Sequence, residues 1–141
     1  MSDFTGLHKA LYAFWSGFTS DGAKMAAYYT GHVPKIPGSD QIAVEMPYIT
    51  FEAVDCPPFG STVLTATGWF KSASGYNGRI KAAEFFDEVK GKIPPQGTRV
   101  MCDGGFVLLY PNSAAFLTYM DDPDDENIVG ARVSYEAYFY H

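Results

Sequence analysis

Val129-Gly130-Ala131-Arg132-Val133-Ser134-Tyr135-Glu136-Ala137-Tyr138-Phe139-Tyr140 is the stretch whose reading decides the fold. Val129, Ala131, Val133, Tyr135, Ala137 and Phe139 alternate with Gly130, Arg132, Ser134, Glu136, Tyr138 and Tyr140. Successive side chains of a strand point to opposite faces, so this alternation predicts a long strand with one apolar and one mixed face. Antiparallel sheets accept that division, with one side covered and the other open.

Working outward, the same period recurs. In Pro47 to Val54, Ile49, Phe51 and Ala53 oppose Tyr48, Thr50 and Glu52, and Cys56-Pro57-Pro58-Phe59-Gly60 breaks the run. Thr62 to Ser72 predicts a second long strand, with Leu64, Ala66 and Phe70 opposite Val63, Thr65, Thr67 and Trp69. Arg99 to Asp103, Gly105 to Tyr110 and Ala115 to Met120 read as further strands, the first two joined by the Asp103-Gly104-Gly105 turn. Ala26 to Thr30 reads as a short edge strand, followed by a Pro34- and Pro37-bearing excursion whose Val33, Ile36 and Ile42 call for cover.

Two segments change to helical period. Leu7, Leu11, Phe14, Trp15 and Phe18 form one apolar stripe, with Asp3 or Thr5 as cap and Gly17 to Gly22 as the stop. Ala82, Phe86, Val89 and Ile93, joined by Ala83 and Phe85, mark a second helix from about Arg79 to Lys92, closed by Gly91 and Pro94-Pro95. Glu88 and Lys92 form a favourable i,i+4 pair on it. Two helices cannot hide both faces of such a sheet. The expected architecture is therefore α+β, a mostly antiparallel sheet with both helices on one face. Tyr48, Trp69, Tyr138 and Tyr140 then fall on the other face, aromatic enough to seek a partner.

The bulk properties agree with one domain. The chain has 141 residues, near the usual ~150 for a domain, and is 47% hydrophobic with 11 Phe, 10 Tyr and 2 Trp. Charged residues are only 18%, below the ~25% of ordinary domains, which suits a surface that meets other protein. Sixteen acids against ten bases give −6, and the bases are scattered singly, which argues against direct nucleic-acid binding. No apolar run reaches 18 residues, and Met1 to Thr5 lacks a basic, then apolar, leader, so neither membrane nor secretion is expected. Cys56 and Cys102 read as two reduced thiols of an intracellular product.

Chemistry finds little footing. Asp121, Asp122, Asp124, Asp125 and Glu126 crowd together, but a calcium loop needs alternate acids, a Gly at the sixth and a Glu at the twelfth position. Pro123 interrupts this run, so it reads as a solvated acidic turn. His8, His32 and His141 lack the Ser or Cys signature of a nucleophilic triad and are too sparse for a zinc site. Glu52 and Asp55 are a carboxylate pair too ordinary to signify glycoside chemistry. No catalytic residue, metal site or cofactor is expected.

In order along the chain stand Phe14-Trp15-Ser16-Gly17-Phe18, Ala27-Tyr28-Tyr29-Thr30-Gly31-His32-Val33-Pro34, Met46-Pro47-Tyr48-Ile49-Thr50-Phe51-Glu52 and Trp69-Phe70-Lys71-Ser72. An amphipathic helix, Cys102-Asp103-Gly104-Gly105 and Met120-Asp121-Asp122-Pro123-Asp124-Asp125 follow, before the alternating last strand. Over about 110 residues this order resembles the tail-terminator proteins of long-tailed bacteriophages and prophages, also called tail-completion or minor capsid proteins. The chain departs from the pattern in its glycine-rich Ser74 to Gly78 and its aromatic Tyr135 to His141. The resemblance implies a small sheet flanked by helices, with no enzyme activity and no cofactor. It also implies assembly into a hexameric ring that docks on the last ring of the tail-tube protein, ends polymerisation and meets the head-completion proteins of the neck. DNA would pass through such a ring unbound, in a virion built in the bacterial cytoplasm. Tyr48, Trp69, Tyr138, Tyr140 and the acids Asp121, Asp122, Asp124 and Asp125 are the residues expected near subunit or tube contacts. Two alternatives stay open: a head-tail adaptor or stopper of the neck, and a small intracellular hydrolase using scattered acids and His32.

Overall fold

The structure, a computed structural model, describes residues 3–52, 61–72, 75–102, 105–112, 116–122, 125 and 127–140. Its elements run α1 (Asp3–Trp15), β1 (Thr19–Ser20), β2 (Ala23–Lys24), β3 (Ala26–Tyr29), β4 (Tyr48–Phe51), β5 (Ser61–Lys71) and α2 (Gly75–Lys92). Then come β6 (Thr98–Cys102), β7 (Gly105–Pro111), β8 (Leu117–Asp121) and β9 (Ile128–Tyr140).

Strand β9 is the axis of the sheet. Along one edge it pairs with β5 from Lys71↔Ile128 to Ser61↔Tyr138. Along the other it pairs with β8 over Val129 to Val133 and with β7 over Tyr135 to Tyr140. The seam falls at Ser134, whose carbonyl accepts from the Asn112 N–H at 3.1 Å and whose own N–H donates to the Phe116 carbonyl at 2.8 Å. The strand order is β3-β4-β5-β9-β7-β6, with β8 beside β9. Every pairing is antiparallel except β3 with β4.

Register sorts the side chains as the alternation requires. Ile49, Phe51, Leu64, Ala66, Phe70, Val107, Leu109, Val129, Ala131, Val133, Tyr135 and Ala137 share one face and are withdrawn from water. Both helices lie on that face. Phe85 of α2 meets Phe70, Phe86 meets Tyr119, and the Trp15 indole N–H of α1 donates to the buried Tyr135 hydroxyl at 3.2 Å. Helix α1 also rests against β3 at one border of the sheet and β6 at the other, so the sheet curls around it. The architecture is α+β with two helices on one face of a mostly antiparallel, curled sheet.

An aromatic cluster joins the helices. Trp15 stacks on Phe18 at 5.0 Å between ring centroids, and Phe18 meets Phe85 at 5.5 Å. The Lys92 ammonium closes α2 against the end of α1. It lies 4.2 Å over the Phe18 ring, donates to the Gly17 carbonyl at 3.0 Å and pairs with Glu88 at 3.0 Å.

Several local expectations need correction. Helix α2 starts at Gly75, a turn before Arg79, because glycines at a helix start carry no signal of their own. Helix α1 already begins at Asp3, which places Thr5 inside it rather than at its cap. The stop after α1 is a hairpin of β1 and β2, turned by Asp21 (φ 52°) and Gly22 (φ 82°), the positive pair of a type I′ turn. Ile36 and Ile42 are exposed, since 34–43 folds back on itself through Ile36 N–H to Gln41 and Ala43 N–H to Pro34. With its backbone paired locally, that excursion needs no anchor in the core.

Phe85, in contact with Phe18, Phe70 and Phe86, is nearly inaccessible to water. Phe85→Ala should lower the unfolding free energy by about 3–5 kcal/mol, read from urea denaturation.

Candidate functional site

The second face of the sheet has no helix over it among the described residues. Its side chains follow from register: Ala26, Tyr48 and Trp69 lie side by side across β3, β4 and β5, ending on Gly130 of β9, and Tyr28, one row on beside Thr50, leans onto Tyr48. A polar belt comes next, Thr50, Thr67 and Arg132, then Thr65 with Ser134. Beyond it lie Val63, Glu136 and Tyr110, then Tyr138, Leu108 and Arg99, then Tyr140, Phe106 and Met101.

Tyr48 and Trp69 are therefore direct neighbours. Tyr48 is only 6% exposed and meets Tyr28 edge-on at 6.1 Å. The Trp69 indole N–H donates to Thr50 Oγ1 at 3.1 Å, and its ring lies across Gly130, where an added Cβ would come within 3.1 Å of it. This end is packed within the chain, with Trp69 half-buried as its outer layer. Burial pushes the Tyr48 phenol above its ordinary pKa, and neighbouring Tyr28 adds to the shift.

Tyr138 and Tyr140 belong to the opposite end, about 27 Å and about 34 Å further along β9 from Gly130. Here apolar groups stand in water: Met101 is 68% exposed, Val63 54% and Tyr140 47%. Phe106 stacks on Tyr140 at 5.1 Å, Tyr110 meets Tyr138 edge-on at 5.6 Å, and the Arg99 guanidinium sits 4.6 Å over Phe106. A groove of about 330 Å³ runs through this corner, lined by Pro95, Leu108, Tyr110, Glu136, Tyr138 and Tyr140. Tyr110 is seated on Gly97, whose φ is +83° and whose Cβ, if present, would come within 2.4 Å of the ring.

The acids are dispersed. Asp121 closes β8 and pairs with Arg79 of α2 at 3.1 Å, on the helix side. The Asp122 N–H donates to the Ile128 carbonyl at 3.4 Å. Asp125 accepts the Asn127 N–H at 2.9 Å and pairs with Lys71 at 3.4 Å. That backbone donor first, and Lys71 second, hold its carboxyl below the usual range. Asp124 lies outside the described residues, as do Asp55, Cys56 and His141. Glu52 accepts from both the N–H and the hydroxyl of Thr65, and His8 meets the Tyr29 hydroxyl at 3.3 Å. His32 is exposed in the loop after β3. Among the described residues no three His, Cys, Asp or Glu side chains gather to hold a metal ion, and no helix is long and apolar enough to cross a membrane.

The aromatic corner thus brings Tyr138 and Tyr140 together with five residues the sequence reading did not single out: Met101, Phe106, Leu108, Tyr110 and Glu136. Protein-family models, curated proteins and solved structures give no match to this chain.

Two measurements check this geometry. A raised pKa means that Tyr48 favours the fold fully below the free-phenol value of about 10, and that this contribution is lost as pH rises through its folded pKa. Tyrosinate absorbance of Tyr48→Phe should contain one late-ionising phenol fewer than that of the unaltered chain. Gly97→Ala should cost about 1–3 kcal/mol in thermal or urea unfolding, because left-handed backbone and the Tyr110 ring both oppose a Cβ.

Proposed function

We propose that this chain is a structural assembly protein that docks other protein on its uncovered sheet face, and that it is a tail terminator of a long-tailed phage. On this reading copies form a hexameric ring that caps the tail tube, stops its growth and offers the other side to the neck proteins. No bond is made or broken, no cofactor is used, and the site of action is the virion. The observation that carries the docking reading is the corner where Met101, Val63 and Tyr140 stand in water beside Phe106, Leu108, Tyr110 and Tyr138. Contiguous exposed apolar surface marks interaction sites, and Met and aromatic residues are enriched in interface cores. The step from docking to tail termination rests on the sequence resemblance. An acidic chain also suits a channel through which DNA slides without adhering. A head-tail adaptor would suit a more helical chain, whereas here nine strands accompany two helices among the described residues.

The test mixes the purified chain with tail-tube protein and images it by negative stain. Capped tubes of arrested length are expected. Met101→Glu should leave stability within about 0.5 kcal/mol, as exposed substitutions do, while abolishing capping. Unimpeded tube growth with the unaltered chain would refute the terminator reading.

A further inference from the structure

We propose that the groove over the uncovered face of the β7–β9 pair is a binding site for an arginine side chain presented by a protein partner. The inference rests on the reading of this face as a docking surface and adds what the partner must offer.

Three tyrosines and one carboxylate meet in the groove. Tyr110 and Tyr138 stand edge to face, Tyr140 follows Tyr138 on the same side of β9, and Glu136 lies directly across the ladder from Tyr110. Tyrosine faces attract a delocalised cation, and a carboxylate beside them accepts a guanidinium in the planar, two-pronged manner. A guanidinium exploits both features at once, where an ammonium acts as a point charge. The volume, about 330 Å³, leaves room for an arginine side chain with its flanking backbone.

Among the described residues the chain's own lysines and arginines do not fill the role. Among the described residues no ion pair involves Glu136. Arg99, the basic residue across β7 from Tyr138, is turned onto Phe106 at 4.6 Å. Arg132 lies on the same face of β9 but beyond Ser134. Among the described residues the negative charge of the groove is unanswered, and a partner's arginine would supply the complementary positive charge. It is also shaped in advance: Gly97 seats the Tyr110 ring, and Pro95 forms part of the wall. A preformed wall reduces the ordering a bound side chain must impose.

The experiment follows backbone amide shifts of the full chain by NMR during titration with acetyl-Gly-Arg-Gly-amide and its Gln counterpart. Saturable shifts at Tyr110, Glu136, Tyr138 and Tyr140 with the Arg peptide, and none with the Gln peptide, are expected. Glu136→Gln should weaken that binding about three- to tenfold with the fold intact, since a charged acceptor is replaced by a neutral one. Tyr140→Ala should weaken it as well. Equal binding of both peptides, or no loss in Glu136→Gln, would overturn the proposal. So would tighter binding of agmatine, a free guanidinium, which would make this a small-molecule site. Arg-peptide binding by a chain that caps no tube supports the groove and removes only the terminator reading. Capping without Arg-peptide binding removes the groove and leaves that reading standing.

Discussion

The ladder of β9 constrains the rest of the molecule. Its thirteen residues pair with one long strand on one side and with two short strands in line on the other. Because side chains alternate, this register commits Val129, Ala131, Val133, Tyr135 and Ala137 to the interior together. A slip of one residue would exchange them for Arg132, Ser134, Glu136 and Tyr138, so the pairing is strongly specified. Both helices then have one place to bury their stripes. The face left over is uncovered because the supply of apolar helix is exhausted on the first.

Much of this was legible in the sequence, for a physical reason. Long regular periods report burial directly, and β5, β9 and α1 were read within a few residues of their ends. Short elements carry no such signal. The β1–β2 hairpin occupies Thr19 to Lys24, too few residues to show a period, and its Asp21-Gly22 turn reads equally as a helix stop. Ile36 and Ile42 misled because apolar character outside a regular period does not say which way a side chain faces, and 34–43, paired within itself, leaves both exposed.

The candidate site was half visible. Tyr48, Trp69, Tyr138 and Tyr140 do share a face, as the alternation required, but position along the ladder divides them into an internally packed end and an open end. Pairing partners fix that division, and they are not written in any one strand. Phe106, Leu108 and Tyr110 escaped notice because Val107 and Leu109 between them are equally apolar, so β7 shows no alternation to assign sides. Glu136 is one acid among many until Tyr110 is known to stand opposite it.

The seam at Ser134 has a consequence for how such a chain can change. Asn112 and Phe116 both bind that one residue, so the partners of β9 change from β7 to β8 at a single rung. Residues added between them would leave every pair in β7 and β8 in place, and the entropic penalty of a longer connection grows only slowly. Evolution is therefore free to graft new contact surface at this point, while the paired strands on either side of it hold their length.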